Sequence, residues 1–229
     1  MRIRITEHGP YRVSGGVPLA RTGPIETEYG EPIDWAADEE VPTGPSYALC
    51  RCGGSSTKPF CDDSHLTNGF DGTEVADRGR REDRMRVFGG DDLELTDDES
   101  LCTHAAFCQN RRTHVWEMIE QADDPEIRAR LLEMVSHCPS GRLGVRTSAA
   151  EPEIEPRFPP SIAVVRDGAL WVRGGVEVIG ADGIPYERRN RMSLCRCGRS
   201  ANMPFCDGTH TEIGFRDPAP ATADVEASS

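Results

Sequence analysis

Apolar and polar residues alternate at the start of the chain, with the period of two that is typical of strands with one buried face. Ile3 and Ile5 alternate with polar neighbours, and Tyr11 and Val13 do so again after a turn signal at residues 8–10. The pattern predicts two short strands joined by a turn.

The same pattern returns in the second half of the chain. Residues 161–178 match residues 2–19 position by position, so that Gly168 corresponds to Gly9. The duplicated piece is therefore a folded unit, in which two strands lead through a loop to a cysteine-rich segment. The two copies differ in their middles, since the first takes a longer path through Trp35.

A different pattern lies between the two copies. Apolar residues recur there at helical spacing, and Asp124 and Pro125 suit the cap and the first position of a helix. We predict two helices, at about 114–122 and 125–136. A short hairpin around 86–95 precedes them.

Charge and composition exclude several classes of function. The 229 residues carry a net charge of −13, with a mean hydropathy of −0.53. Such an acidic chain repels phosphate backbones and anionic lipid, so we expect neither nucleic acid nor membrane as a partner. The sequence has no signal-peptide core and no apolar run near the roughly 20 residues of a membrane span, which predicts a cytoplasmic protein.

Charge-dense stretches are predicted to be solvated. They comprise a connection at residues 78–86 and carboxylate clusters at residues 38–40 and 97–99. The sequence contains no Ser–His–Asp arrangement, no phosphate-binding P-loop and no dinucleotide fingerprint. We therefore expect a protein that is not an enzyme.

A cysteine-rich segment of sixteen residues occurs twice. Each copy reads C-R-C-G-x-S-x-x-x-P-F-C-D-x-[ST]-H, and the copies begin at Cys50 and Cys195. Three thiolates and one imidazole in a compact loop form a metal-ligand set, and reduced cysteines in the cytosol favour metal over disulfides. A structural zinc ion is one interpretation. The spacing, with one ligand pair at each end of the loop, better suits two bridged irons.

Both loops resemble the CDGSH iron–sulfur family of mitoNEET-like proteins, whose pattern is C-x-C-x₂-[ST]-x₃-P-x-C-D-G-[STA]-H. The second copy meets this pattern in full, whereas the first has Asp63 in place of a glycine that permits left-handed backbone. The resemblance implies one [2Fe-2S] cluster in each loop. The implied ligands are Cys50, Cys52, Cys61 and His65 in the first loop and Cys195, Cys197, Cys206 and His210 in the second.

Three further cysteines, Cys102, Cys108 and Cys138, lie in the middle segment. They resemble the divergent single-cluster 4Fe-4S family, which reads C-x-H-x₃-C…C-P-S-G-A-L. Three cysteines suffice for a [3Fe-4S] cluster, whereas a [4Fe-4S] cluster needs a fourth ligand. His104 is the nearest candidate for that ligand, although a lone histidine is more often structural. Three buried free cysteines are the alternative interpretation.

The resemblances imply an α+β fold. It is a small β-sandwich-like pseudo-dimer of two CDGSH units with an inserted small α/β ferredoxin-like domain, and a monomer rather than a homodimer. The predicted divisions are a first CDGSH unit at 1–75, the ferredoxin-like domain at 84–146, a Pro-rich linker at 147–160, a second CDGSH unit at 161–217 and a disordered tail at 218–229.

Other residues of the loops are expected to tune a bound cluster. A neutral histidine in place of a thiolate raises the reduction potential and makes it respond to pH. Ser55 and Ser200 are placed to hydrogen-bond either sulfur or backbone. Arg51 and Arg196 either face solvent or offset the charge of a cluster.

These features predict an iron–sulfur protein that acts in electron transfer. Its partner is expected to be a redox enzyme or an apo iron–sulfur protein, towards which the acidic surface steers docking. Storage and transfer of iron–sulfur clusters is the first alternative, and a zinc-stabilised binding module is the second.

Overall fold

The structure is a computed structural model that describes residues 1–89 and 92–217. Its fold is α+β, with small sheets and few helices. In this described part the strands are β1 (Arg2–Ile5), β2 (Tyr11–Ser14), β3 (Leu19–Thr22), β4 (Pro24–Glu26), β5 (Pro32–Trp35), β6 (Glu39–Val41), β7 (Ser46–Leu49), β8 (Arg86–Gly89), β9 (Glu94–Asp97), β10 (Leu143–Arg146), β11 (Ser161–Val165), β12 (Leu170–Arg173), β13 (Glu177–Ile179) and β14 (Arg191–Leu194). The α-helices are α1 (Val115–Met118), α2 (Pro125–Ser136) and α3 (Thr209–Glu212).

The repeated strand pairs form as predicted. Strands β1 and β2 pair antiparallel, with Ile3 opposite Val13, and β11 and β12 pair in the same register, with Ile162 opposite Val172. The strand–turn–strand prediction is confirmed in both copies. In the first copy the apolar side chains face inward and the arginines face solvent, as the alternation requires.

Each of the two larger sheets contains strands from both copies. Their orders are β13-β1-β2-β7 and β14-β12-β11-β3-β6. Strand β13 of the second copy runs parallel to β1, with Val178 opposite Ile3, and β3 of the first copy runs parallel to β11, with Leu19 opposite Ile162. Neither sheet is complete without a strand from the other copy.

The two copies bury a single apolar core between these sheets. It includes Ile3, Ile5, Tyr11, Val13, Val17, Leu19, Leu49, Ile162, Val164, Leu170, Val172, Val176, Val178, Met192 and Leu194. Truncating a buried Leu or Ile to Ala in such a core costs about 2–5 kcal/mol, and because the core contains side chains of both copies, each copy stabilises the other.

The longer path of the first copy reaches the rest of the molecule through Trp35. Its ring lies between those of Phe107 and Trp171, with centroids 4.7 Å away in each case. Its Nε1 donates to the carbonyl oxygen of His137 at 3.0 Å. One side chain of the first copy thus contacts both the middle segment and the second copy.

The middle segment forms its own sheet, in the order β10-β9-β8, with its own apolar core against α1 and α2. Asp124 caps α2 by accepting from the backbone N–H groups of residues 126 and 127, and Pro125 opens the helix, as predicted. The first predicted helix is shorter, since α1 continues only as a 3₁₀ turn over Ile119–Gln121.

Two stretches that were predicted to be solvated are partly buried, so those predictions are wrong. Asp97 is 2% exposed and accepts from Arg142 at 2.6 and 3.0 Å. Asp98 is equally buried. Arg81, in the predicted solvated connection, is buried and donates to Glu153 at 2.6 Å. Charged groups far apart in sequence pair here, which compensates for their loss of water.

The predicted linker at residues 147–160 contains neither helix nor strand. The predicted disordered tail at 218–229 lies outside the described residues. In the part of the chain that is described, no helix combines the length and apolar character needed to cross a membrane.

A buried arginine joins the middle segment to the second copy. Arg191, on β14, is 1% exposed and donates to the carbonyl oxygens of Val135, Cys138 and Leu143 at 2.7, 2.9 and 3.0 Å. It also pairs with Glu155 at 2.5 Å. A single side chain therefore donates hydrogen bonds to the end of α2, to the start of β10 and to a carboxylate of the linker.

We expect the substitution Arg191→Leu to lower the free energy of unfolding by about 3–5 kcal/mol, because it removes the charged partner of the Glu155 carboxylate and one donor from each of three carbonyls. Chemical denaturation measures this loss. The control Arg130→Leu removes a surface pair with Glu133 and should cost less than about 1 kcal/mol. Equal, small losses in the two variants would contradict the role of Arg191.

Candidate metal centres

The first cysteine-rich loop brings its predicted ligands together as two pairs. The Sγ atoms of Cys50 and Cys52 lie 3.8 Å apart, and Cys61 Sγ lies 3.6 Å from Nδ1 of His65. The backbone N–H of residue 60 bonds to the carbonyl of residue 57, which folds the chain back between the pairs.

The second loop repeats this geometry with less exposure. The Sγ atoms of Cys195 and Cys197 lie 3.6 Å apart, and Cys206 Sγ lies 3.3 Å from Nδ1 of His210. All three of its cysteines are buried, whereas only Cys50 is buried in the first loop. The structure thus places all eight predicted ligands in two similar sites, and their role as ligands stays a prediction.

An aspartate after the third cysteine closes each loop. Asp62 accepts from the backbone N–H groups of Ser56 at 2.8 Å and Ser64 at 3.1 Å, and Asp207 makes the equivalent bonds in the second loop. The hydroxyl of Ser64 also donates to Asp62, at 2.6 Å, and this bond together with the backbone bonds lowers the pKa of Asp62, so its carboxylate stays charged. The aspartate recurs at the same offset in both copies, which is the signal in the sequence that points to this role.

The serine of each loop bonds to backbone rather than to sulfur. Ser55 Oγ donates to the carbonyl oxygen of Phe60 and Ser200 Oγ to that of Phe205, both at 2.7 Å. Each serine therefore ties the loop to the residue before its third cysteine. The sequence left open whether these serines bond to sulfur or to backbone, and the structure supports a hydrogen bond to backbone.

The arginine between the first two cysteines of each loop is buried. Arg51 and Arg196 are 1% and 2% exposed, so the solvent-facing alternative is wrong. Arg51 donates to the carbonyl of Gly72 at 2.6 Å, and Arg196 donates to that of Gly168 at 2.7 Å and pairs with Asp217. Each loop therefore has a fixed positive charge inside the fold.

The two loops meet along their backbones. Cys52 and Cys197 form an antiparallel β-bridge. A Cβ built on Gly53 would lie 2.5 Å from the carbonyl oxygen of Cys197, and one on Gly198 equally close to that of Cys52. Only glycine allows this approach, and Tyr11 adds a bond across the contact by donating to the carbonyl of residue 195 at 2.7 Å.

The three cysteines of the middle segment line one cavity. It measures about 220 Å³, and Cys102, Cys108 and Cys138 all contribute to its wall. His104 lines it as well, but its ring also packs on the second loop, where a Cβ built on Gly208 would lie 2.6 Å from its Cδ2. The ligand role predicted for His104 stays a prediction.

Comparison with protein families gives three matches. A model described as iron-binding zinc finger CDGSH type matches residues 8–66 and 167–211, and a model described as divergent 4Fe-4S mono-cluster matches residues 88–148. The chain carries two CDGSH domains with a divergent 4Fe-4S segment between them. It is therefore an iron–sulfur protein. A search of curated proteins and a search of solved structures each returned no match.

In the metal-free form, each CDGSH loop shares one proton between its first two cysteines. A hydrogen bond from Cys50 lowers the pKa of Cys52 to about 5, and a hydrogen bond from Cys197 lowers the pKa of Cys195 to about 6. The pKa of each donor thiol rises in turn, because its proton is held by the neighbouring thiolate. Each pair therefore carries one thiolate at neutral pH, the form that binds metal.

Burial shifts the pKa of three other predicted ligands, Cys206, Cys108 and His210. It raises the pKa of Cys206 to about 12 and that of Cys108 to about 11. Burial also lowers the pKa of His210, with help from the positive charge of Arg196. A lowered pKa keeps this imidazole neutral, and the neutral ring is the form that coordinates metals.

We expect the metal-free protein to show about two thiolates already between pH 7 and 8, one from each cysteine pair. Since both lowered pKa values lie below this window, the thiolates are lost only as the pH falls through about 5 to 6. Ultraviolet thiolate absorbance measures them. Cys50→Ala removes the hydrogen-bond partner of Cys52 and should abolish one of the two thiolates. Circular dichroism of the variant checks that the fold is kept. An unchanged titration would contradict the shared proton.

Asp63 takes the left-handed conformation that the CDGSH pattern assigns to glycine. Its φ is 66°, and that of Gly208 at the matching position is 90°. The prediction that aspartate replaces a left-handed glycine is confirmed. The carboxylate lies beside the third cysteine of the loop, with Oδ1 3.8 Å from the Sγ of Cys61.

We expect Asp63→Gly to raise the free energy of unfolding by about 1 kcal/mol, because glycine adopts this conformation without steric cost. Chemical denaturation tests this. The matched change Gly208→Ala should destabilise instead, since it strains the backbone and drives a Cβ against His104. A less stable Asp63→Gly variant would show that the carboxylate, rather than the backbone, decides stability at this position.

Proposed function

We propose that this protein is an electron carrier that binds two [2Fe-2S] clusters, one in each CDGSH loop, and a third cluster of [3Fe-4S] or [4Fe-4S] type in the middle cavity. The observation that carries the proposal is the division of each ligand set into two separate pairs. A bridged pair of irons takes two ligands on each metal, and each loop offers two thiols at one end and a thiol with an imidazole at the other.

The same geometry weighs against a single zinc ion. Zinc holds its ligands at about 2.0–2.3 Å, so the four ligand atoms of a tetrahedral site lie within about 4 Å of one another. Among the described residues, the only set of three or more metal-binding side chains gathered within 4.8 Å is Cys61, Asp63 and His65. Neither full Cys₃His set is that compact, which favours the two-metal interpretation.

The middle cavity suits a larger cluster for a related reason. Its three cysteines surround a space of about 220 Å³ instead of converging on one point. Arg142, which pairs with the buried Asp97, also lines this space. The divergent 4Fe-4S match over the same residues supports the proposal.

The chain's own residues set the electrostatics of these sites. A bound cluster supplies one-electron redox chemistry. The buried charge of Arg51, which bonds to backbone carbonyls, would stabilise the additional negative charge of a reduced cluster and so favour reduction, whereas the charge of Arg196 is offset in part by its pair with Asp217. The neutral imidazoles of His65 and His210 act in the same direction, because each replaces a thiolate.

We further propose that the two CDGSH units pair within one chain as a pseudo-dimer around an inserted ferredoxin-like domain, and that the protein is a monomer. The exchange of β3 and β13 between the sheets supports this arrangement. The proposed divisions are the first unit at 1–75, the inserted domain at 84–146, the linker at 147–160 and the second unit at 161–217. We propose no catalytic role of its own for the protein.

The proposed partner is a redox enzyme with a basic docking surface, since the net charge of −13 steers association with such a surface. Transfer of clusters to an apo iron–sulfur protein is the second candidate. The exposure of the first CDGSH loop supports this second candidate, because Cys61 is only partly buried there. A ligand pair within reach of solvent is accessible to ligands from another protein.

The proposal is tested by electron paramagnetic resonance of the isolated and reduced protein, with iron and zinc counts on the same sample. We expect signals of two [2Fe-2S] centres and of one further cluster. Colourless protein with stoichiometric zinc would defeat it. Reduced protein that never passes clusters to an apo-ferredoxin favours the carrier over the donor.

We expect His65→Cys and His210→Cys each to lower the reduction potential of one [2Fe-2S] centre and to flatten its dependence on pH, because a thiolate adds negative charge and removes the titratable ring. Redox titration at several pH values measures both effects. His8→Ala, which changes a histidine outside the predicted ligand sets, should leave the potentials unchanged. Unaltered profiles in the two cysteine variants would defeat the ligand assignment.

A further inference from the structure

The two CDGSH loops share a local fold but differ in exposure. In both loops the third cysteine donates its backbone N–H to the last strand before the loop, Cys61 to the carbonyl of residue 48 and Cys206 to that of residue 193. Yet Cys206 is only 2% exposed, while Cys61 is partly open to solvent. The difference therefore comes from what packs on each loop.

The middle segment packs on the second loop. The ring of His104 lies against the backbone at Gly208, between Cys206 and His210, so closely that a Cβ there would come within 2.6 Å. Nearby, Asn202 Nδ2 donates to the carbonyl oxygen of Ser100 at 2.8 Å.

The segment that presents His104 is held in an unusual conformation. His104 and Ala106 both have left-handed backbone, with φ of 56° and 62°. Non-glycine residues adopt it at a cost of about 1–3 kcal/mol, so the surrounding contacts must hold the segment in place. Between this segment and the second loop remains a cavity of about 310 Å³, lined by His104 and Phe107 on one side and His210 on the other.

The corresponding positions of the first loop face solvent. Asp63 stands where Gly208 receives the His104 ring, and it is exposed, as is its neighbour Asp62. Thr57 matches Asn202, and its side chain bonds to Ser55 of its own loop rather than to the middle segment.

We propose that the two CDGSH sites have different roles: the first is the exchange site, open to thiolate ligands of a partner protein, and the second is a retained site that the middle segment covers through His104. This inference rests on the proposed function, because it assumes that both loops are loaded. Exchange at the first site is a ligand substitution. A partner thiolate replaces the His65 imidazole, which leaves as a neutral base, and no electron is transferred.

The test follows the loss of visible cluster absorbance and of iron from the purified full chain after a chelator is added. Two background variants isolate the sites: C195S/C197S keeps the first CDGSH site and C50S/C52S keeps the second. We expect the first site to lose iron about tenfold faster than the second. Equal rates would overturn the proposal.

His104 variants test the cover itself. Added to C50S/C52S, His104→Ala should raise the rate of loss about tenfold, whereas in C195S/C197S it should change nothing. His104→Phe keeps a flat ring over Gly208 without a nitrogen, and should restore slow loss even if the middle cluster is altered. Equal acceleration at both sites by His104→Ala, or fast loss at the second site with His104→Phe, would contradict a covering role.

Two matched controls separate the cover from the local sequence. Asn202→Thr gives the second loop the residue of the first and removes the bond to Ser100, so it should also speed loss at the second site. Thr57→Ala at the matching position should not speed loss at the first. If Asp63→Gly alone slowed the first site to the rate of the second, the residue at that position would explain the difference and the proposal would fail.

A second measurement needs no cysteine substitution. Iodoacetamide labelling of the purified chain, followed by peptide mass spectrometry, should modify Cys61 before Cys206. The substitution His104→Ala should increase the rate at which Cys206 is modified. Simultaneous labelling of the two cysteines in the unsubstituted chain would overturn the inference. Protein without iron would defeat the proposed function, while the order of labelling would still report which loop is covered.

Discussion

The constraint on which the structure depends is the close contact between the two repeated units. Strands β3 and β13 each complete the sheet of the other copy, and the ligand loops meet at the Cys52–Cys197 bridge. Glycines at positions 53 and 198 make this approach possible, since a Cβ at either would lie 2.5 Å from backbone of the other loop. The position of each ligand set therefore depends on both copies being folded.

Buried charge is the second organising feature. Three arginines are almost fully buried: Arg51, Arg196 and Arg191. Each donates to backbone carbonyls, and Arg196 and Arg191 also pair with carboxylates. Removing a guanidinium from water is expensive, so these residues persist only where several acceptors surround them. Two of them, Arg51 and Arg196, lie inside the cysteine-rich loops.

The middle segment turns a near-symmetric arrangement into an asymmetric one. It contacts the second loop through His104 and Asn202, while the first loop keeps Asp62 and Asp63 in solvent. A glycine is needed beneath His104, and an aspartate is tolerated where nothing packs. The one departure from the CDGSH pattern thus lies at a position where the surroundings of the two loops differ.

The sequence by itself determined the strand pairs, the capped helix α2 and the spacing of both ligand sets, because each depends on residues that are close along the chain. Only the tertiary structure decided that β3 and β13 exchange sheets, that Arg51, Arg196 and Asp97 are buried, and that Cys206 is covered while Cys61 is not. The physical reason is that burial and pairing depend on neighbours far away in sequence. The sequence around each arginine is the same whether its side chain is solvated or buried. The difference arises only when distant parts of the chain fold around it, such as Gly72 for Arg51 and Gly168 and Asp217 for Arg196.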